Sequence, residues 1–322
     1  MKDTYPITQE QIDLLNTFTC ERLTDDPANL SKIQNFLSYR GPGLVDHLRS
    51  YGWTADKSGT TAYYVVKNPQ GRIMLFFSLK CGVLFDPDYV KRCAEEFSDA
   101  QQLWRAYNQA RFGDESAKEF LVQTRKEMGD AAYDQCIREL EERYYRSRGV
   151  YQTIKSDKRE EPNRKIIRVD RAHSAIELVE FCANDRTKDS WRDLFQNSFE
   201  ARRHTMGKVF FWWFIVPKMI EVSRIAGCEY AYLFAADEDP DGDLVRYYED
   251  ALHFRKLTHL GTIKPLYDMN CYFMGRRLFS VDEDSVDPYE VVRDDDDLRG
   301  LDYYRDQYFA NFNLRSGVYD MI

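Results

Sequence analysis

The stretch HTMGKVFFWWFIVPKMIEVSRIAGCEYAYLFAADED, residues 204–239, decides the fold. It sets Gly207 just ahead of the apolar run VFFWWFIVP (209–217), then a second glycine at 227, then the strand-like CEYAYLFAA (228–236). A glycine between a strand and a helix lets the backbone approach closely. The first helical turn then offers unpaired N–H groups and the positive end of the helix dipole to an anion. Met206-Gly207-Lys208 therefore fits a phosphate cradle, although glycines also open helices for steric reasons alone. The helix is expected from about Met206 to Ala226, closed by Gly227. Its apolar run is too short to cross a bilayer. A helix apolar all round is a buried one, so the run reads as core. Pro217 lacks an N–H and crowds the preceding turn, so a kink or a restart is expected there.

Upstream, IIRVD (166–170) and AIELVEFCAN (175–184) read as strand. The two-residue period puts Glu177, Val179 and Phe181 on one side, with Ile176, Leu178 and Glu180 on the other. Downstream come a turn, DEDPDGD (237–243), a helix, LVRYYEDALHF (244–254), and a last strand, YDMNCYFMGRRLF (267–279). Further out, residues 1–50 form a helical lead-in broken at Asp26-Pro27. TTAYYVVKN (60–68) and RIMLFFSLKCGVLF (72–85) then form a hairpin across PQG. Residues 86–155 read as a helical insertion, and 283–322 as an acidic, aromatic tail. The expected fold class is mixed α/β: one elaborated domain spanning 1–322, with a central mixed sheet flanked by helices.

Composition narrows the function. Of 322 residues, 43% are hydrophobic, enough for a substantial core, and 54 acidic against 45 basic residues give a net charge of -9. That balance argues against nucleic acid as a general partner, leaving only a local basic strip at Arg164, Lys165, Arg168 and Arg171. The N-terminal MKDTYPITQEQIDLL lacks a basic start followed by an apolar stretch, so a cytoplasmic protein is expected. Seven scattered cysteines with no CxxC signal neither a disulfide framework nor zinc. His47, His173, His253 and His259 show no ligand spacing, so packing or solvent is their expected setting, and no metal is expected. The run DDDD (294–297) reads as a solvated turn.

The order of hairpin, strand, glycine loop, apolar helix, glycine, strand, tyrosine-bearing helix and final strand resembles the GNAT superfamily of acyl-CoA-dependent N-acyltransferases. The likeness runs from Gly43 to about Met274 and is strongest from Ala175 onward. The family's pyrophosphate loop corresponds to His204, Thr205, Met206, Gly207, Lys208 and Val209, of which Gly207 is the clean match. The YYEDALHF segment (247–254) corresponds to the family's Tyr-Glu pair near a helix end, with Tyr248 matching, Tyr247 as its rival and His253 where glycine is usual. The resemblance implies acetyl-CoA as co-substrate and a primary amine as acceptor. Tyr248 would protonate the departing thiolate. It also implies that the strand carrying Phe181, Cys182 and Ala183 splays from the next, so that these three residues meet the cofactor through their backbones.

Direct attack by an amine also needs a base, and Glu177 and Glu180 are the candidates, with Glu177 slightly preferred. Cys182 and Cys271 have no adjacent base and read as packed thiols. Three functions compete: an N-acyltransferase; a non-catalytic CoA-binding or regulatory module that keeps the fold; and a toxin acylating charged transfer RNA, against which the acidic balance counts. The aromatic tail suits either a homodimer contact or packing on its own subunit.

Overall fold

A computed structural model describes residues 7–141, 171–195, 204–236, 242–263 and 271–310. The chain divides into two compact units, Met1–Phe85 with Ala172–Ile322, and Asp86–Arg171. The first holds a seven-stranded sheet in the order β1-β2-β3-β4-β5-β7-β6. Its outermost strand, β1 (Thr19–Arg22), lies inside the lead-in expected to be wholly helical. TCER is too short and too polar to show a strand period, and pairing with β2 (Ala62–Lys67) rather than propensity makes it a strand. The expected hairpin joins β2 to β3 (Ile73–Asp86). Gly71 takes a positive φ of 71° in its turn, and Asn68 Oδ1 accepts the Arg72 N–H at 2.9 Å.

Strand β4 (Arg171–Ala183) carries AIELVEFCA; IIRVD and the basic positions at 164, 165 and 168 lie outside the described residues. Asn184 N–H donates to Met74 O at 2.8 Å, so the end of β4 lies beside the start of β3 and the two run antiparallel. Strand β5 (Tyr230–Ala236) runs parallel to β4 and antiparallel to β7 (Cys271–Arg277), while the two-residue β6 (Arg255–Lys256) closes the far edge.

The segment that opened the sequence reading folds as expected, with one refinement. A helix at Met206–Phe210 widens into a π-type turn at Phe211–Ile215 and resumes as Val216–Ala226, with Pro217 in the first turn of the resumed helix. The widening replaces a kink: a proline needs no N–H partner in a helix's first turn. Gly227 closes the helix in left-handed geometry (φ 71°), its N–H donating to Ser223 O at 2.7 Å. Phe210, Phe211, Trp212, Ile215 and Val216 are buried in the main core, while Trp213 and Phe214 are only partly covered.

The tail contributes to that core. Its helix Leu301–Tyr308 buries Leu301, and Tyr308 stacks on Trp212 with ring centroids 6.1 Å apart. The polar stretch after β4 contains a further helix, Lys188–Phe195, anchored by buried Trp191. The second unit is helical, with Tyr89–Arg111, Glu115–Met128 and residues 130–141 gathered around Leu103, Tyr133, Ile137 and Leu140. Among the described residues no helix is long and apolar enough to cross a membrane.

Candidate functional site

The sheet parts at its centre. Parallel pairing between β4 and β5 covers only Ala175–Tyr230, Ile176–Ala231 and Glu177–Tyr232, although β4 continues to Ala183 and β5 to Ala236. Beyond that point β5 stays paired with β7 as far as Ala236–Cys271, and the end of β4 stays bonded to β3 at Asn184–Met74, so the two halves of the sheet part between them. This is the splay implied by the resemblance, and Phe181, Cys182 and Ala183 lie on its β4 wall.

On the helical side of the gap, Thr205 caps the helix opened by Met206 and Gly207, its Oγ1 accepting the Lys208 N–H at 3.4 Å. A Cβ at Gly207 would stand 3.0 Å from the Tyr247 hydroxyl and 3.3 Å from Phe181 Cζ. The glycine therefore permits a three-way approach of loop, β4 and the tyrosine helix Asp243–Leu252. Burial pushes the Tyr247 phenol up to about 12, with a hydrogen bond to Thr205 opposing. Tyr248 is raised further by burial, with Tyr247 and then Cys182 adding to it. Both phenols keep their protons at neutral pH and can donate them. Tyr247 faces the glycine loop, whereas Tyr248 feels the thiol on the β4 wall.

His253 ends the tyrosine helix at φ 58°, a left-handed position natural to glycine. Its ring stacks on Tyr304 (centroids 4.0 Å apart, 13° between planes) and its carbonyl accepts from Arg276 Nε, which holds the conformation.

Two other loop positions are committed elsewhere. The His204 imidazole, at the position where the family's loop has a side-chain contact, is buried and bonded to the Tyr308 hydroxyl at 2.9 Å. The arriving tail supplies that partner, and no local pattern announces it. Val209 is fully buried in the core and its N–H donates to Thr205 O at 3.0 Å, so neither its side chain nor its N–H is available to an anion.

The carboxylates lie on the opposite face. Leu178 and Phe181, three residues apart, both pack into the main core with Trp212. Glu177 meets Tyr232, which belongs with Leu84, and Glu180 meets Tyr63, which belongs with Phe76 and Val65. The strand's alternation thus slips by one residue between Leu178 and Phe181, and both glutamates face away from the helix 206–226. Expectation had placed them on opposite sides. A regular two-residue period cannot include such an irregularity, which also re-aims Glu180.

Glu180 is the more enclosed carboxylate. Its Oε1 accepts the Tyr63 hydroxyl at 3.2 Å and contacts His47 Nδ1, while Oε2 is buried with no hydrogen-bond partner among the described residues. Burial raises its pKa above the ordinary 4.5, with His47 and Tyr63 opposing. Glu177 is raised as well, mainly by burial, and accepts the Tyr232 hydroxyl at 3.2 Å.

His47, expected merely to pack or face solvent, instead ends the helix Pro42–His47 with its side chain 48% exposed. Tyr63 is held in place by its neighbours. Its N–H donates to buried Asp56 at 2.8 Å, and Gly52 lets the turn Leu48–Gly52 lie on its ring, where a Cβ would be 3.4 Å from Cε1. His47, Tyr63 and Tyr232 escaped sequence reasoning because their partners are far away in the chain, 133 residues in the case of His47.

The remaining candidates are structural. Burial pushes the Cys182 thiol up to about 11, the reverse of nucleophile activation. The run 294–297, expected to be a solvated turn, is a clamp. Asp294 and Asp297 each accept Arg255 Nη1 at 3.0 Å, and Asp296 accepts Arg276 Nη2 at 3.0 Å. Among the described residues no group of His, Cys, Asp and Glu is placed to hold a metal ion.

No family model matches the chain, and no curated protein matches it. Solved structures are similar to it at low identity. AtaTR bound with AcCoA is 11% identical with a TM-score of 0.39, over 82% of this chain and 95% of that one. The KacTA-DNA complex is 9% identical at 0.39, over 81% and 93%. AtaT complexed with acetyl-methionyl-tRNAfMet is 11% identical at 0.34, over 81% and 94%.

Proposed function

We propose that the chain is an acyl-CoA-dependent N-acyltransferase that passes an acyl group, acetyl in the simplest case, to a primary amine by direct attack. The observation that carries the reading is the parting of β4 and β5 after Glu177–Tyr232, with a glycine-opened helix on one side and a buried, incompletely bonded carboxylate on the other.

The residues present suit the co-substrate. Main-chain N–H groups of Thr205, Met206 and Gly207 would hold the diphosphate, because those of Lys208 and Val209 are taken by Thr205, and the backbone of Phe181, Cys182 and Ala183 would receive the pantetheine arm. CoA supplies the activated thioester. Of the two glutamates, Glu180 suits the base better, because it is the more enclosed and its buried Oε2, with no partner among the described residues, can take a proton from an ammonium group. The neutral amine attacks the thioester carbonyl, the C–S bond breaks, and Tyr248 gives its proton to the thiolate; Tyr247 is the alternative donor. The second N–H proton of the attacking nitrogen restores the phenol, so one proton is released per turnover.

A second reading, a CoA-binding module without turnover, draws on the His204 side chain being committed to Tyr308. Calorimetric titration with CoA and acetyl-CoA tests binding. Thiol release with spermidine, amino-acid amides, a lysine peptide and aminoacyl-tRNA tests transfer. Saturable binding abolished by Gly207→Asp is expected, since the carboxylate would crowd Tyr247 and Phe181 and repel the diphosphate. No binding by the folded parent protein would end the reading; binding without transfer would select the second.

A further inference from the structure

We propose that His47 is the proton exit of this centre, carrying the acceptor amine's proton from Glu180 to solvent. The inference rests on the acyltransferase reading and adds a residue to it. Amide formation from an ammonium group and a thioester releases one proton net, and a buried carboxylate that takes it must lose it again before the next turnover. Glu180 is enclosed, and the only ionisable or hydroxyl groups bonded to it among the described residues are Tyr63 and His47. Burial and the carboxylate itself raise the Tyr63 phenol far above its ordinary value, so Tyr63 holds its proton and cannot carry another. His47 bridges the two environments: Nδ1 meets Glu180 Oε1, and about half of the side chain is open to water.

The proton path balances. In the resting state one proton is shared along Oε1···Nδ1. The amine gives a proton to Oε2, the shared proton settles on Nδ1, and the imidazolium gives its Nε2 proton to bulk water. The carboxyl then turns end for end and the imidazole ring flips, which brings the protonated oxygen against the ring nitrogen that gave its proton to water and restores both the shared proton and an outward N–H; imidazole is the side chain whose ordinary pKa lets it accept and release near neutrality.

The neighbours leave this path clear. On its own segment His47 is flanked by Asp46, which pairs with Arg49 at 4.0 Å, and by the Tyr51 ring, 5.1 Å away at 33°. From β2 only the Tyr63 hydroxyl reaches it, at 3.3 Å, and from β4 only Glu180. Arg49 is turned to the carbonyls of Ile33, Gln34 and Phe36. The imidazole thus has one anionic contact inside and water outside.

Two measurements test this on the full chain. Nitrogen NMR of the histidine side chains, in parent and Glu180→Gln proteins under one buffer condition, reads the contact without substrate: removing the carboxylate should move the His47 Nδ1 signal while the other histidine signals stay in place. Turnover of acetyl-CoA with the best amine of the panel then reads the relay. His47→Ala should lower kcat about tenfold or more with CoA affinity and melting temperature unchanged, and free imidazole added to the buffer should restore part of it. An unchanged His47 Nδ1 signal in Glu180→Gln, or parental kcat in His47→Ala at every pH, overturns the proposal. Failure of the parent protein to transfer acyl groups while the NMR coupling holds would instead overturn the acyltransferase reading and, with it, the amine as proton donor.

Discussion

Two carboxylate groupings in this molecule look alike in kind and behave in opposite ways. The four aspartates at 294–297 have the denser charge, yet Arg255, Arg276 and main-chain N–H groups engage three of them: Asp294 Oδ1 alone accepts from Asp296 N at 3.0 Å and Asp297 N at 3.2 Å. Glu177 and Glu180 have no guanidinium bonded to them; their partners are two neutral phenols and one imidazole, and one buried oxygen has none among the described residues. The arginine partners hold Asp294 below the ordinary aspartate value, while burial lifts both glutamates above theirs. Satisfied charge fixes the structure, and under-satisfied buried charge is where chemistry can be done.

That contrast can be broken by experiment. The largest effect is expected from Glu180→Gln: kcat falling on the order of 10³-fold with CoA affinity intact, if the free oxygen is the base. Equal rates would make the two groupings alike. The same substitution should not harm the fold. Burial raises the Glu180 pKa, so the native state holds this proton more tightly than the unfolded chain. The resulting stability is present at low pH and lost as pH rises through the native value, and glutamine, which does not titrate, loses nothing there.

Asp296→Ala should do the reverse, leaving chemistry alone while costing about 3 kcal/mol of unfolding free energy, read as a lower denaturant midpoint, because the buried Arg276 guanidinium loses its carboxylate. Tyr248→Phe should lower kcat by about tenfold to a hundredfold (~1.4–2.8 kcal/mol) at unchanged CoA affinity; no change would pass the role to Tyr247.

The smallest effect concerns His253, whose pKa burial and then Arg276 lower from 6.5 to about 4. Its contribution to stability is complete above pH 6.5 and is lost as pH falls toward 4, so urea midpoints over that window should decline less in His253→Asn. Asparagine suits the left-handed position and does not titrate.

Much of the fold was legible because its signals are local. Gly207, the apolar run, Gly227 and the strand after it lie in one continuous segment, and each constrains the next. The hairpin across Asn68–Arg72 is equally local. Strand β1 was not legible, since Thr19–Arg22 is a strand only by virtue of β2. The candidate site was half legible: Gly207, Tyr247 and Tyr248, and the two glutamates could be picked out, but not which face the glutamates take. A one-residue slip within Leu178–Phe181 leaves no mark in a sequence that alternates well on both sides of it. His47, Tyr63 and the burial of His204 under Tyr308 belong to tertiary contacts between distant segments, which spacing rules do not reach.

The short parallel seam between β4 and β5 has a consequence for how the sheet meets a ligand. Past Tyr232, β5 keeps β7 on one side and has no β4 partner on the other, so a row of its peptide groups is left unpaired by β4. A single extended chain bearing its own amides could lie along that row. Such a guest would act as a temporary strand, knitting the two halves of the sheet together for as long as it stayed.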